Sequence, residues 1–504
     1  KLHFLKYEKF VLIAPRTDCP MADRTLYTLY MCVWKNIHLL DLYQSGPFDK
    51  YYNKQMKQTL QQDTITHFSA RVPQYASYPP VNYFHDNIDK FIQVRWLRQV
   101  ASDEPISLYV HIPFCKQICW FCACRTQGIT SLGPLHLYVQ ALCQELNLIS
   151  ESLPQYPNLI RLSLGGGTPT ILPADLATKL LEKIFTVFKP SANFEFSVEI
   201  DPTDASEDVL QTFANFGMNR ASIGVQDFEP TVQTAIGRKQ SYGETQNVIK
   251  ILRRSKVKNL NVDLIYGLPY QTKASFKRTL AKVAALDPDR IALCGFAYVP
   301  WMSKRQVMIN TTLLPDNQAR FELFVQGQKF FVEKGFMPIG IDHFSKPHDG
   351  LAKAAKQGRL QRDFQGYTED TSSVLIGVGA SSISKFPQGY VQNHPITSDY
   401  TQSIFQSGPI ICKGYVLNDH DKLIAKLIES LMCYFAVSSS QLISEFPQQK
   451  TEIQIALCKL KERFSEVCSY ESGQLIIYPE ARGMIRVIAN YLDKFSTKIT
   501  PSQS

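Results

Sequence analysis

Tyr109 to Cys124 reads YVHIPFCKQICWFCAC, and the placing of its cysteines decides how the rest of the chain is read. Cys115, Cys119 and Cys122 fall in a C-x3-C-x2-C spacing, with Cys124 two residues further on. Thiolates are the usual ligands of iron–sulfur clusters, and four of them normally close a [4Fe-4S] cube. Three in one compact loop of this spacing leave one iron open to hold something else. A structural zinc site would pair C-x2-C with a second such pair or with two histidines, and no second pair follows. A disulfide framework does not fit either, because 12 cysteines in 504 residues are too dilute for a stapled secreted domain. The cysteines at 19, 32, 143, 294, 412, 433, 458 and 468 are scattered and read as small buried hydrophobes.

Outward from this loop, short β-branched or apolar runs alternate with amphipathic stretches. Residues 106–112, 158–164, 194–200, 219–225, 260–267 and 290–297 read as strands, and 135–151, 174–188, 206–216, 242–255 and 273–286 as helices. Such alternation implies right-handed crossovers and a parallel sheet, here an α/β fold with six units, a partial (β/α)6 barrel. In that architecture ligands sit at the carboxyl ends of the strands. The cysteine loop follows the first strand and GGGTPT (165–170) the second. Glu199 and Asp201 end the third, Gln226 follows the fourth, and Asp263 lies in the fifth, so all should line one mouth.

The glycine run lacks the G-x-x-x-x-G-K phosphate pattern and reads as backbone that approaches a bound amino acid closely. Glu199 and Asp263 sit between apolar neighbours, where a carboxylate is costly unless it is paired or faces a polar mouth. Arg238, on its own, reads as a surface cation.

The composition is that of an ordinary soluble globular protein, 44% hydrophobic and 20% charged. The net charge of +9 is dispersed, with no Lys/Arg stripe, which argues against nucleic acid. No apolar run reaches the roughly 18 residues of a membrane span, and thiolate cluster ligands need a reducing compartment, so cytoplasm is expected.

Residues 1–64 show weak periodicity and are expected to be an extension peripheral to the catalytic fold. Residues 65–105 form an N-terminal arm, in which VPQYASYPPVNYFHD (72–86) reads as extended and aromatic. A catalytic domain is expected over 106–400. Residues 401–504 are expected to form a small, mainly helical, winged-helix-like domain, with an amphipathic helix from Val416 to Phe435. GIDHF (340–344), DFQGYT (363–368) and LIGVGASSIS (375–384) are loops that pattern alone does not assign.

From about Val72 to Lys494 the chain resembles the oxygen-independent coproporphyrinogen III oxidases of the radical S-adenosylmethionine superfamily. The matching pieces are PQYASYP, LYVHIPFCKQICWFCAC, LGGGTPT, VEIDP, NRASIGVQDF, VDLIYGLPYQT, GIDHF, DFQGYT and GVGASSIS, in this order. The resemblance implies that Cys115, Cys119 and Cys122 ligate a [4Fe-4S] cluster. Cys124 is then the extra cysteine typical of the oxidases and absent from the related haem chaperones.

Two S-adenosylmethionine molecules are implied. Tyr109, Gly166, Glu199 and Ile383 would contact the first, and Phe121, Gly167, Thr168, Gln226, Arg238, Asp263 and Ala297 the second. Tyr109, Glu199, Gln226 and Arg238 are the expected catalytic residues. The implied reaction is oxidative decarboxylation of two propionates of coproporphyrinogen III to vinyl groups, giving protoporphyrinogen IX. An external one-electron reductant is expected to feed it, and the protein is expected to be a monomer. Where the family's arm usually reads R-Y-T-S-Y-P-T, this chain has Gln74, Tyr75, Ala76, Ser77, Tyr78, Pro79 and Pro80. A haem chaperone and a different radical enzyme acting on haem are the competing readings.

Overall fold

The computed structural model describes residues 4–7, 10–13, 68, 70, 72–154, 156–406, 408 and 410–496. The chain divides into two units, Lys1–Thr59 and Leu60–Ser504. In the first, the strands Phe4–Tyr7 and Phe10–Ile13 pair antiparallel. The rest of the extension expected over 1–64 lies outside the described residues.

The second unit is built on a twelve-stranded sheet. Its centre is β1 (Ile106–Ile112), β2 (Asn158–Gly166), β3 (Lys189–Ile200), β4 (Arg220–Gln226), β5 (Asn259–Tyr266) and β6 (Arg290–Gly295), paired parallel in chain order. The crossovers carry α1 (Gly133–Ser150), α2 (Ala174–Val187), α3 (Glu207–Asn215), α4 (Tyr242–Arg254) and α5 (Lys273–Ala285). Their starts are chemically marked. Ser206 caps α3, and Ser241 with Glu244 and Thr272 with Ser275 form capping boxes on α4 and α5.

The six expected strands are present, but the sheet does not stop there. Beyond β6 the sheet continues with β8 (His343–Ser345), antiparallel to β6, and then β7 (Met337–Ile339) at the edge, antiparallel to β8. On the far side of β1 lies a seventh parallel strand, β9 (Val374–Val378), within the stretch that pattern left as a loop. β10 (Ile383–Phe386), β11 (Gly389–Asn393) and β12 (Ile411–Val416) then extend the edge antiparallel.

The domain boundary expected at 400 falls inside a helix, α7 (Thr397–Phe405), and β12 still belongs to the large sheet. The C-terminal module therefore begins with α8 (Asp419–Tyr434), which Asn418 and Asp421 cap. It continues as strand Ala436–Ser438, helices Ser439–Glu445 and Lys450–Arg463, and strands Cys468–Glu471 and Gln474–Ile477, the order of a winged helix.

Strand alternation explains how one sheet carries both core and site. Along β5, Leu260, Val262, Leu264 and Tyr266 are buried, while Asn259, Asn261, Asp263 and Ile265 take the other face. The apolar face joins the core with residues of the covering helices such as Leu180, Leu252 and Leu280. Each fully buried Leu or Ile contributes about 1.5–3 kcal/mol.

At the amino ends of the strands the polar face is closed by ion pairs. Arg161 and Arg220 reach Glu195 at 2.6 and 2.9 Å, and Arg290 reaches Asp349 at 2.5 Å and Glu369 at 2.9 Å. Burial pushes the Glu195 carboxyl up, but Arg220 and Arg161 outweigh it and hold the group down at about 2.

The aromatic arm packs on the chain's far end. Tyr75 donates to Asn490 and Asp493 at 2.9 and 3.1 Å, and Tyr83 stacks on Phe495 with ring centroids 4.5 Å apart.

Candidate active site

Parallel register brings the carboxyl-end residues of successive strands onto one face. Tyr109 lies beside Ser163 on β2 and Gly377 on β9, Glu199 beside Ser222, and Asp263 beside Gly224 and Ala292. Asp263 accepts from Ser222 Oγ at 2.9 Å and from Asn261 Nδ2 at 2.6 Å. Burial raises its pKa, which those two donors oppose. Burial also pushes the Glu199 carboxyl up to about 7, against the Gly166 N–H that donates to it at 3.1 Å.

The three glycines are explained by what fills the space of their missing side chains. A Cβ at Gly165 would come within 2.5 Å of the Glu199 carboxylate, and one at Gly166 within 2.4 Å of the His111 ring. At Gly167 it would meet the Phe114 carbonyl at 2.5 Å. Glycine here lets the loop after β2 knit to the cysteine loop: Gly167 N–H donates to Ile112 O at 2.8 Å and Thr168 N–H to Phe114 O at 2.9 Å. His111 faces the Arg125 carbonyl through Nε2 at 3.0 Å, so that nitrogen carries the proton and Nδ1 accepts from Tyr109 at 3.0 Å. Burial lowers the ring's pKa and keeps it neutral.

Two further segments clamp the cysteine loop. From one side, Trp120 N–H donates to Ile236 O at 2.9 Å and Gln117 Nε2 to Gly237 O at 2.9 Å. From the other, Ser303 Oγ donates to Cys122 O at 2.8 Å, and Arg305 donates to Thr126 Oγ1 and O at 2.7 and 2.6 Å. The fully buried Gln306 donates through Nε2 to Phe121 O at 2.7 Å and Ala297 O at 3.0 Å, and its Oε1 accepts from Val299 N–H at 2.5 Å. Sequence reasoning missed Ser303, Arg305 and Gln306, because they lie in an irregular segment and act on main-chain atoms distant in sequence.

Arg238 is not the surface cation its local sequence suggests. It is buried, with Nε on Gln240 at 3.0 Å, Nη1 on Asp201 at 2.9 Å and on Cys119 Sγ at 3.5 Å, and Nη2 on Gly224 O at 2.7 Å. Four of its five N–H groups are thus spent within the protein, leaving one on Nη2. Gln226 sits at a bulge ending β4 with φ 67, a left-handed conformation that is uncommon for a non-glycine residue and recurs at ligand sites. Ile383, at the start of β10, presents its carbonyl against Gly377, where a Cβ would meet it at 2.5 Å.

The model of the Radical SAM superfamily matches residues 109–283. The chain is 40% identical over 440 residues to the oxygen-independent coproporphyrinogen III oxidase of Paracoccus denitrificans, covering 87% of this chain and 98% of that protein. It is 43% identical over 431 residues to that of Cereibacter sphaeroides, covering 85% and 95%. The chain belongs to the oxygen-independent coproporphyrinogen III oxidase family. Among solved structures, the coproporphyrinogen III oxidase (HemN) from Escherichia coli superposes with a TM-score of 0.80 at 31% identity, covering 84% of this chain and 97% of that one.

As a radical SAM oxidase, the protein uses a [4Fe-4S] cluster and S-adenosylmethionine. The cysteine loop fits the cluster. Cys115, Cys119 and Cys122 are free thiols, and Thr168 Oγ1 and Arg238 Nη1 point donors at two of the sulfurs, 3.7 Å from Cys115 and 3.5 Å from Cys119. Hydrogen bonds to ligand sulfur are one of the means by which proteins tune such clusters. Among the described residues no three or more His, Cys, Asp or Glu side chains gather tightly enough to hold a single metal ion.

Proposed function

We infer that this protein removes carbon dioxide from two propionate side chains of coproporphyrinogen III, leaving vinyl groups and yielding protoporphyrinogen IX without oxygen. The observation that carries this reading is identity of 40% along 98% of an oxidase of that name, joined to a cysteine loop that the glycine run and Arg238 contact directly. Each propionate loses carbon dioxide, one hydrogen atom, taken up through S-adenosylmethionine, and one electron, which passes to an external one-electron acceptor. An external donor supplies the electrons that start the reaction, and the protein acts as a monomer in the cytoplasm.

When bound, the cluster and S-adenosylmethionine supply the one-electron chemistry that takes the hydrogen atom. Cys115, Cys119 and Cys122 would hold the cluster. Tyr109, Gly166, Glu199 and Ile383 would hold one S-adenosylmethionine beside it, with Glu199 offering a carboxylate to the amino group. Phe121, Gly167, Thr168, Gln226, Arg238, Asp263 and Ala297 would hold a second. Asp263 suits ribose hydroxyls, and the spare Nη2 proton of Arg238 suits a ligand carboxylate. Gln306 ties the backbone of Phe121 to that of Ala297, two residues assigned to this second site. The clamps on both sides hold the backbone of the cysteine loop in place.

Anaerobic assay of the reconstituted protein with coproporphyrinogen III, reductant and S-adenosylmethionine tests the reading. Protoporphyrin IX after oxidation of the products supports it. Tight haem binding with no vinyl product would turn the assignment toward a haem-delivering protein.

A further inference from the structure

Three arginines from three separate elements gather where β5 and β6 end. Arg320 on α6 (Asn317–Glu333) lies over the Tyr266 ring, 5.7 Å from its centroid, and its Nη2 occupies the space beside Gly295, where a Cβ would come within 2.9 Å. Arg362, in the strand Gln361–Asp363, lies 4.5 Å from the centroid of Tyr367. Arg486, in the helix Ile485–Asn490, donates to Phe68 O at 3.1 Å. Phe68 stacks on Tyr266 with ring centroids 6.1 Å apart, so Arg486 and Arg320 flank one aromatic pair, while Arg362 lies on Tyr367, whose ring meets His343 at 5.2 Å beside Asp342, the residue whose carbonyl accepts from Leu293 N–H on β6.

Their donors are only partly answered within the protein. Asp342 lies near both Arg362 and Arg486 and favours their charge, but the hydrogen bond it makes is with His343 Nδ1 at 2.7 Å. Among the described residues, Arg320 Nε and Arg362 Nε and Nη1 are buried with no hydrogen-bond partner. Buried guanidinium donors without an acceptor are costly, and the amino-end arginines 161 and 290 of this same sheet show the ordinary solution, a carboxylate on each. The position is the carboxyl end of the sheet: Arg320 meets Tyr266 and Gly295, the last residues of β5 and β6, and Gly295 is two residues from Ala297. Planar guanidinium forks match carboxylates in pairs.

We propose that Arg320, Arg362 and Arg486 form an anion site that binds carboxylates of the tetracarboxylate substrate at the mouth of the sheet. The assignment rests on the function proposed above and adds the residues that recognise the substrate's charge. S-adenosylmethionine also bears a carboxylate, so the test separates the two sources.

Coproporphyrin III, the stable oxidised form of the substrate, and its tetramethyl ester are titrated into the reconstituted holoenzyme and its Arg320→Gln and Arg362→Gln variants. 5'-Deoxyadenosine formation without porphyrin is followed in parallel. Either variant is expected to weaken coproporphyrin III binding about tenfold or more, a loss in the range for a charged hydrogen bond. Ester binding and the KM for S-adenosylmethionine should stay unchanged, and Arg362→Lys should recover part of the loss. If one variant fails to fold, the other carries the test. Unchanged coproporphyrin III affinity in a folded variant, or a raised KM for S-adenosylmethionine instead, overturns the anion site. A wild-type protein that cleaves S-adenosylmethionine but binds no coproporphyrin III overturns the functional reading beneath it.

Discussion

Arg238 Nη1 lies 3.5 Å from the sulfur of Cys119, and the same nitrogen holds Asp201 at 2.9 Å. One guanidinium thus ties the end of β3 to the cysteine loop. Arg238→Gln leaves Asp201 without its cation and the sulfur without its donor. Breaking a buried pair from one side costs about 3–5 kcal/mol. The expected outcome is a fall in stability of that order by denaturant titration, with 5'-deoxyadenosine formation reduced more than tenfold in the protein that remains folded.

Gln306 makes three contacts that no other side chain replaces, to Phe121 O, Ala297 O and Val299 N–H. Gln306→Leu leaves these part-buried main-chain groups without their partner, at up to about 1 kcal/mol each. The KM for S-adenosylmethionine is expected to rise about tenfold, while iron content after reconstitution stays at the wild-type level. A variant that binds S-adenosylmethionine normally would show that the clamp does not shape the second site.

Glu145 is fully buried in α1 and accepts from Gly379 N–H at 2.8 Å, Asn393 Nδ2 at 2.7 Å and Tyr400 Oη at 2.5 Å. Burial pushes its carboxyl from 4.5 up to about 7, against these donors. A raised carboxyl pKa means that the folded state holds a proton the unfolded state has released. The group's contribution to stability is therefore full below about pH 4.5 and lost as pH rises through about 7. The wild type is expected to melt higher at pH 6 than at pH 8, and Glu145→Gln should flatten that slope, both read by thermal denaturation.

Cys119→Ser removes a thiolate that the cluster needs, and 5'-deoxyadenosine formation should fall to background. Cys124→Ser removes an exposed thiol outside the C-x3-C-x2-C set and should leave reconstituted iron unchanged. Equal iron loss in both variants would place Cys124 among the ligands.

Much of this was legible in the sequence, for identifiable reasons. The six parallel strands and five crossover helices announce themselves by switching between periods of 2 and 3.6. β9 does not, because VLIGV has no helix of comparable length before it and runs straight into a glycine turn. The burial of Arg238 was also hidden: its local sequence, IGRKQ, gives no sign of partners at Asp201 and Gly224. The same holds for Gln306 and for the arginines at 320, 362 and 486, whose roles come from contacts that tertiary folding alone creates. The glycines at 165–167 were visible as a motif, but the reason for them, the closeness of Glu199, His111 and Phe114, needed coordinates.

The central claim is that radical formation at the three-cysteine loop is spent on decarboxylating a tetrapyrrole's propionates. Its most direct test counts 5'-deoxyadenosine and carbon dioxide in a single anaerobic turnover with carboxyl-labelled coproporphyrinogen III. The account predicts one 5'-deoxyadenosine for each labelled carbon dioxide, and vinyl-bearing product to match. Continued formation of 5'-deoxyadenosine with no labelled carbon dioxide, or with a methylated tetrapyrrole as product, would contradict it.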